Sequence, residues 1–368
     1  MEKQQGTMEK MEMINSFVDS SFWKNKRVFV TGHTGFKGGW LCIWLYKLGA
    51  NIKGYSLEPN TTPSLFDEAK IDQIVNSEIN DIRDFDKLEK SLIDFDPQII
   101  FHLAAQPLVR YSYLEPKETF DVNVLGSLNI LESIRNLKKI KTGIIITTDK
   151  VYDKNYIKIY QEVDKLRGED PYSASKVCVE HLFSSYVDSF FKNSPKQRLA
   201  TVRAGNVIGG GDYSEDRLIP DIYRYAKKKK KIILRNPNSV RPWQYVLEPL
   251  GGYLLLAEKL YNNKLKKIDQ NWNFAPNISS CVSVKYVANY FAKNLELKMK
   301  IAKKNTREFK PETSLLRLSN YKSRKLLKWY PKWSIDKSLD KIIEWNIKVK
   351  KNKHAEVCFQ QVKNYMND

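Results

Sequence analysis

The chain has 368 residues, enough to bury a sizeable core in one large or two modest domains, and its hydrophobic fraction of 42% is that of an ordinary globular enzyme. No stretch supplies the roughly 18 consecutive apolar residues of a membrane helix. Residues 1–22 carry Glu2, Lys3, Glu9, Lys10, Glu12 and Asp19 and lack the apolar heart of a signal peptide, so an N-terminal extension on a cytoplasmic protein is expected.

The formal charge of +20 and the run Lys227–Lys231 invite a nucleic-acid partner. The lysines are spread along the chain, however, and the run reads as the solvated end of a helix, so no nucleic acid and no membrane partner is expected. Excess positive charge would still draw an anionic small substrate. Cys42, Cys178, Cys281 and Cys358 show no CxxC spacing and the four histidines no cluster, which argues for reduced thiols and no structural metal.

In chain order, Arg27 to Val30 reads as a buried strand running into the glycine-rich stretch Thr31 to Gly39. Trp40, Leu41, Ile43, Trp44, Leu45 and Leu48 then recur at helical spacing until Gly49. Strand, glycine turn and helix in this order form a dinucleotide site. Gly32, Gly35 and Gly38 let the backbone approach a pyrophosphate, whose charge sits at the helix N-terminus. The second strand, Ile52 to Ser56, lacks the terminal acid that grips a ribose hydroxyl. Ser56 or Glu58 would stand in, which leaves NAD and NADP both open.

Further strands are expected at Ile99 to Leu103, Gly143 to Thr148 and Ala200 to Arg203, with amphipathic helices between them. The alternation predicts an α/β fold, a Rossmann-type doubly wound parallel sheet with ligands beyond the carboxyl ends of its strands. Residues 23–205 are assigned to this dinucleotide-binding domain, with a return around 243–275. After residue 205 the alternation fades into Gly209 to Asp212, Arg235 to Pro237 and Arg241 to Trp243. Residues 206–368 are therefore assigned mainly to a second, smaller C-terminal substrate domain interleaved with the first.

Thr147-Thr148-Asp149-Lys150 falls at a strand end, and Tyr172 lies one helical turn from Lys176. An ammonium beside the phenol is expected to lower its pKa, so that Tyr172 can take a proton from an alcohol as hydride leaves the same carbon. Taken alone the Tyr/Lys spacing is common on solvated helices; the preceding glycine turn is what gives it weight.

Several segments then match in order: Phe22 to Lys24, Val30 to Gly38, Phe101 to Arg110, Thr147 to Lys150, Pro171 to Ser173, Arg203 to Asp212, Arg217 to Pro220 and Arg241 to Gln244. Over roughly residues 22–350 the chain resembles the extended short-chain dehydrogenase/reductases, the NAD-dependent epimerase/dehydratase family. Its Asp149-Lys150 step resembles the CDP-glucose branch of the nucleotide-sugar 4,6-dehydratases, where the related dTDP-glucose branch carries Asp-Glu and the GDP-mannose branch a Ser/Thr-Glu pairing.

The resemblance implies NAD as cofactor, held by Gly32, Thr34, Gly35, Phe36, Lys37, Gly38, Ser56, Asp81, Ile82, Leu103, Ala104, Ala105, Gln106, Asn123, Thr147, Tyr172 and Lys176. It implies CDP-glucose as substrate, held by Gln106, Thr148, Asn206, Arg217, Leu218, Ile219, Arg235 and Arg241, with Arg203 a further candidate for the pyrophosphate. By the same resemblance Tyr172 and Thr148 act at C4, Lys150 is the base at C5, and Asp149 protonates the departing C6 hydroxyl, with Lys176 in support. Base chemistry requires a lowered Lys150 pKa, expected from crowding with Lys176 and partial burial.

The resemblance also implies a homodimer packed through Thr119 to Leu137 and Tyr172 to Phe191. The alternatives are another nucleotide-sugar epimerase, reductase or dehydratase, or a non-catalytic binder.

Overall fold

The computed structural model describes residues 18–137, 139–155, 159–194, 196–265, 270–301, 316–349 and 353–368. Most of the expected N-terminal extension, residues 1–17, lies outside them.

Seven parallel strands form the main sheet: β1 (Arg27–Thr31), β2 (Asn51–Ser56), β3 (Asn76–Ile79), β4 (Ile99–His102), β5 (Thr142–Ile146), β6 (Arg198–Ala204) and β7 (Asn271–Phe274). Their order across the sheet is β7-β6-β5-β4-β1-β2-β3, so the chain starts in the middle, winds one way through β3 and then the other from β4. This reversal between β1 and β4 opens a crevice at the carboxyl ends of those strands. The register sets Thr31 beside His102 and Phe101 beside Ile144.

The helices that matter for the site are α1 (Phe36–Lys47), α2 (Phe85–Phe95), α3 (Gly126–Asn136), α4 (Pro171–Tyr186), α5 (Leu218–Lys227) and α6 (Leu247–Tyr261), followed by α7 (Ile335–Lys348) and α8 (His354–Asn367). Alternation of strand side chains divides the core. Val28, Val30 and Ile144 face a cluster built on α1, α6 and the C-terminal helices, whereas Phe29, Ile100 and Ile145 face one built on α2, α3 and α4. The expected helix Thr119 to Leu137 is broken up: a short helix, Pro116–Phe120, passes through a wider turn, Asp121–Leu125, into α3.

Two strands carry little apolar signal. β3 is Asn-Ser-Glu-Ile at the sheet edge with no buried residue, and β7 alternates asparagine with Trp272 and Phe274. Through α6 and β7, residues 247–274 return the chain to the sheet after it has left for the smaller layer. That layer holds a three-stranded sheet of Asn206–Ile208, Val240–Tyr245 and Cys281–Ser283. Lys227 to Lys231 are exposed, at the end of α5 and in the turn that follows.

The C-terminal segment is anchored on one buried acid. Glu248 of α6 accepts the backbone N–H of Trp333 at 2.7 Å and the Tyr365 hydroxyl at 2.7 Å. Burial pushes its pKa up from 4.5 to about 7, against the pull of those hydrogen bonds and of Lys332. A carboxyl raised on folding holds a proton that the unfolded chain has already released, so its stabilisation is complete below the unfolded value and falls as pH rises through the folded value. Glu248→Gln is therefore expected to remove roughly 3 kcal/mol of the loss of stability between about pH 4.5 and 7. Urea denaturation at the two ends of that window checks it. Glu258, also pushed by burial to about 7, leaves a residual slope in the variant.

Candidate active site

The glycine turn is shaped by close approach. Gly32 takes φ +75°, and a Cβ on it would stand 2.7 Å from the Ala104 nitrogen, while a Cβ on Gly38 would collide with the Gly32 carbonyl. Thr31 fastens the turn to the end of β4, since its hydroxyl accepts the Ala104 N–H at 3.1 Å and meets His102 Nδ1 at 2.8 Å. Burial pushes the His102 pKa down to about 3, and the nearby Lys176 adds to the effect. The imidazole is thus a neutral strut between Thr31 and Ser127.

Gly35 caps α1 without a side chain, so the N-terminal amides of α1 face the crevice with a partial positive charge suited to a diphosphate. The cradle fits the dinucleotide that the sequence predicts. At the end of β2, Ser56 meets the Thr34 hydroxyl at 2.9 Å, and no carboxylate occupies the terminal position.

The other expected cofactor residues follow the carboxyl ends of β3, β4 and β5 or sit in the wider turn that leads into α3. Asp81 is tied to Arg83, and Ile82 packs beneath Gly126. Leu103, Ala104 and Ala105 follow β4. The Gln106 backbone N–H reaches Asn123 at 2.9 Å, and Asn123 in turn donates to Ser175 of α4 at 2.9 Å. The Gln106 side chain is already engaged by Thr119 and by the Leu108 N–H. Thr147 donates to Glu180 at 2.6 Å.

The structure brings Thr148, Asp149, Lys150, Tyr172 and Lys176 together. Thr148 caps the short turn Asp149–Val151 that follows β5. Its hydroxyl donates to Asp149 Oδ1 at 3.1 Å, and Lys150 Nζ lies 3.4 Å from the same oxygen. Asp149 is fully buried, and its Oδ2 has no hydrogen-bond partner among the described residues. An orphaned carboxylate oxygen in such a crevice is placed to accept or deliver a proton to a ligand. Tyr172 opens α4, whose start is fixed by the Asp170 capping box and by the Tyr172 N–H donating to Ser112 at 3.1 Å.

Two electrostatic expectations are corrected. Burial raises the Tyr172 pKa, and the largest opposing influence is Lys150, followed by the Thr148 hydrogen bond. Lys176 instead donates to the Ile146 carbonyl at 3.2 Å, and burial pushes it down to about 8. Lys150 is raised where a lowered value was expected. Burial pulls it down, but the charges of Asp149 and Tyr172 outweigh that burial and the repulsion from Arg241. Lys150 and Asp149 therefore rest as an ion pair.

The candidate phosphate-binding arginines part company. Arg217, at the start of α5 beside Leu218 and Ile219, is held by Asp212 at 3.1 Å and acts electrostatically on Tyr172 and Lys37. Arg241 acts on Lys150 and donates to the Val240 carbonyl. Asn206 keeps a buried Oδ1 without a partner among the described residues. Arg235 pairs with Asp216 farther out, which it shares with Arg110.

Arg203 is excluded from any phosphate. It is 2% exposed, doubly bonded to Glu180 at 2.7 and 2.8 Å, and stacked near Tyr152. Sequence reasoning missed Tyr253, whose buried hydroxyl receives Lys37 Nζ at 3.1 Å. Its place in the apolar run of α6 made it look like core.

The sequence model of the family described as GDP-mannose 4,6 dehydratase matches residues 29–342. The CDP-glucose 4,6-dehydratase of Salmonella typhimurium is 42% identical over 95% of this chain and 99% of its own. Among solved structures, dTDP-glucose 4,6-dehydratase from Bacillus anthracis, in complex with NAD, superposes with a TM-score of 0.74 at 20% identity, covering 89% of this chain and 98% of that one. UDP-glucose 4-epimerase from Thermotoga maritima with UDP-glucose gives 0.73 at 20% identity, over 88% and 99%. At that identity the two structures speak for a common fold.

Proposed function

Because this chain belongs to the GDP-mannose 4,6 dehydratase family of nucleotide-sugar enzymes, we propose that it converts CDP-D-glucose into CDP-4-keto-6-deoxy-D-glucose and water with NAD, as a cytoplasmic homodimer. The observation that carries the reading is the buried Asp149 with its unpartnered oxygen, paired to Lys150 and set beside Tyr172. Oxidation alone needs only the tyrosine and its lysine. A separate acid and base have work to do where an alcohol must also leave. The near full-length likeness to the Salmonella enzyme supports CDP-glucose as the substrate.

NAD held at the glycine turn would accept hydride from sugar C4 and return it at C6, so the overall change is loss of water. Tyr172 takes the C4 hydroxyl proton while Thr148 hydrogen-bonds that oxygen. The resulting ketone acidifies C5–H. Lys150 removes that proton, and Asp149 donates one to the C6 oxygen, which leaves as water; when hydride is returned at C6 the Lys150 ammonium gives its proton back to C5, and the proton taken by Tyr172 passes to the Lys150 amine to restore the starting charges.

The resting ion pair suits this step. Moving one proton from the Lys150 ammonium to the Asp149 carboxylate creates a neutral amine base and a carboxylic acid together, with no exchange with solvent. Closing the crevice over a substrate favours the neutral pair, because desolvation penalises both charges. Arg217 and Arg241 offer guanidinium forks for the substrate diphosphate, and Asn206 an amide toward it. Leu125 and Phe190, large apolar side chains left exposed near the start of α3 and the end of α4, support the dimer.

Incubating the purified protein with CDP-, dTDP-, UDP- and GDP-glucose or mannose and assaying 4-ketosugar tests the reading. The expected result is product from CDP-glucose at a rate at least tenfold above the others, on the scale at which a pocket rejects a wrong group. Absence of product from CDP-glucose would refute it.

A further inference from the structure

Within electrostatic reach of Tyr172 and Lys176 stands a second tyrosine and lysine, brought together from distant parts of the chain. Lys37 is the second residue of α1, directly after the glycine turn, and Tyr253 lies in the middle of α6. The Lys37 Nζ is 3.1 Å from the Tyr253 hydroxyl and 5.1 Å from the centre of its ring. Tyr253 is itself fixed by burial and by edge-to-face packing on Phe274.

A half-buried ammonium in the first turn of a helix is unfavourable, because the partial charge there is already positive. The groups that face Lys37 deepen the conflict. Arg217 and Lys176 are like charges, Asp149 alone is opposite, and Tyr253 stays neutral because burial raises its own pKa. Burial first, then the two cations, brings Lys37 down to about 7. Among the described residues no carboxylate forms an ion pair with it. The tyrosine hydroxyl serves both protonation states, accepting from an ammonium and donating to a neutral amine.

We propose that Lys37, backed by Tyr253, is a proton-accepting clamp for the diphosphate of the bound dinucleotide, so that cofactor capture takes up a proton at this side chain. The proposal rests on the reading of the glycine turn as a dinucleotide site. A diphosphate at the N-terminus of α1 supplies the missing negative charge, holds the ammonium form, and thereby binds more weakly as Lys37 loses its proton. The N-terminal amides of α1 that would share the diphosphate do not titrate.

Calorimetric titration of NAD into the purified protein, in buffers of different ionisation enthalpy, measures the protons taken up on binding. The parent protein is expected to take up more protons at about pH 8 than at about pH 6, and its affinity to fall about tenfold between them. Lys37→Arg, permanently charged, should keep the affinity and lose that pH dependence; Lys37→Gln should bind more weakly at the lower pH and lose it too. Lys176 titrates in the same range, so the difference between parent and Lys37 variants isolates the clamp. Tyr253→Phe should shift the pH at which affinity falls. If the parent binds no NAD, the dinucleotide reading itself fails. If it binds NAD with proton uptake unaltered in both Lys37 variants, the clamp alone is overturned.

Discussion

Asp149→Asn is expected to slow 4-ketosugar formation from CDP-glucose by about 10²–10⁴-fold, the range lost with a general acid, while affinity for NAD and for the nucleotide sugar changes little. Asparagine has the same shape and can still accept the Thr148 hydrogen bond, but an amide in place of the unpartnered Oδ2 cannot deliver a proton. Steady-state rates set against binding constants from titration separate the two effects. Turnover within a few-fold of the parent would mean that another group protonates the leaving oxygen.

The companion change, Lys150→Ala, removes the base and also the largest positive influence on Tyr172. Its expected signature is loss of dehydration with slow C4 oxidation remaining, visible as a build-up of reduced nicotinamide absorbance. Normal dehydration by this variant would remove Lys150 from the C5 step.

Arg203→Ala is expected to cost about 3–5 kcal/mol of folding stability, because it strands a buried carboxylate. Both partners of the pair are about 2% exposed, and Glu180 also receives Thr147, Thr201 and Asn271. The Arg203 guanidinium ties Tyr152 and the Glu162 carbonyl to the end of β6. Thermal unfolding should therefore move down by roughly 4–7 °C. A phosphate-binding role makes the opposite prediction, a raised KM with unchanged stability. The double change Arg203→Met with Glu180→Met should recover part of the loss, since replacing both charges removes the desolvation penalty.

Much of the fold was legible because it depends on local pattern. The strand, glycine turn and helix from Arg27 to Gly49 follow from residues adjacent in sequence, and the structure places the stop at Leu48 and Gly49, the latter at φ +79°. Edge strand β3 was hidden because an edge needs no apolar face. β7 was hidden because its asparagines spend their amides on partners elsewhere, Asn271 on Glu180 and Asn273 on the Tyr160 carbonyl. The helix expected from Thr119 to Leu137 keeps its apolar spacing but widens at Asp121–Leu125, where Asn123 turns inward to Gln106 and Ser175.

By itself the sequence determined which groups could do chemistry: an acid and a lysine after one strand, a tyrosine and a lysine one turn apart, and a cradle of glycines. Those follow from covalent order and helical spacing. The tertiary structure alone decided their charge states and their neighbours. It buried Arg203 against Glu180, left one oxygen of Asp149 without a partner among the described residues, made Lys150 the main influence opposing the rise of the Tyr172 pKa where Lys176 was expected, and set Tyr253 against Lys37. The physical reason is that burial and Coulomb interaction depend on distance in space, and these contacts join residues as far apart as 216 positions.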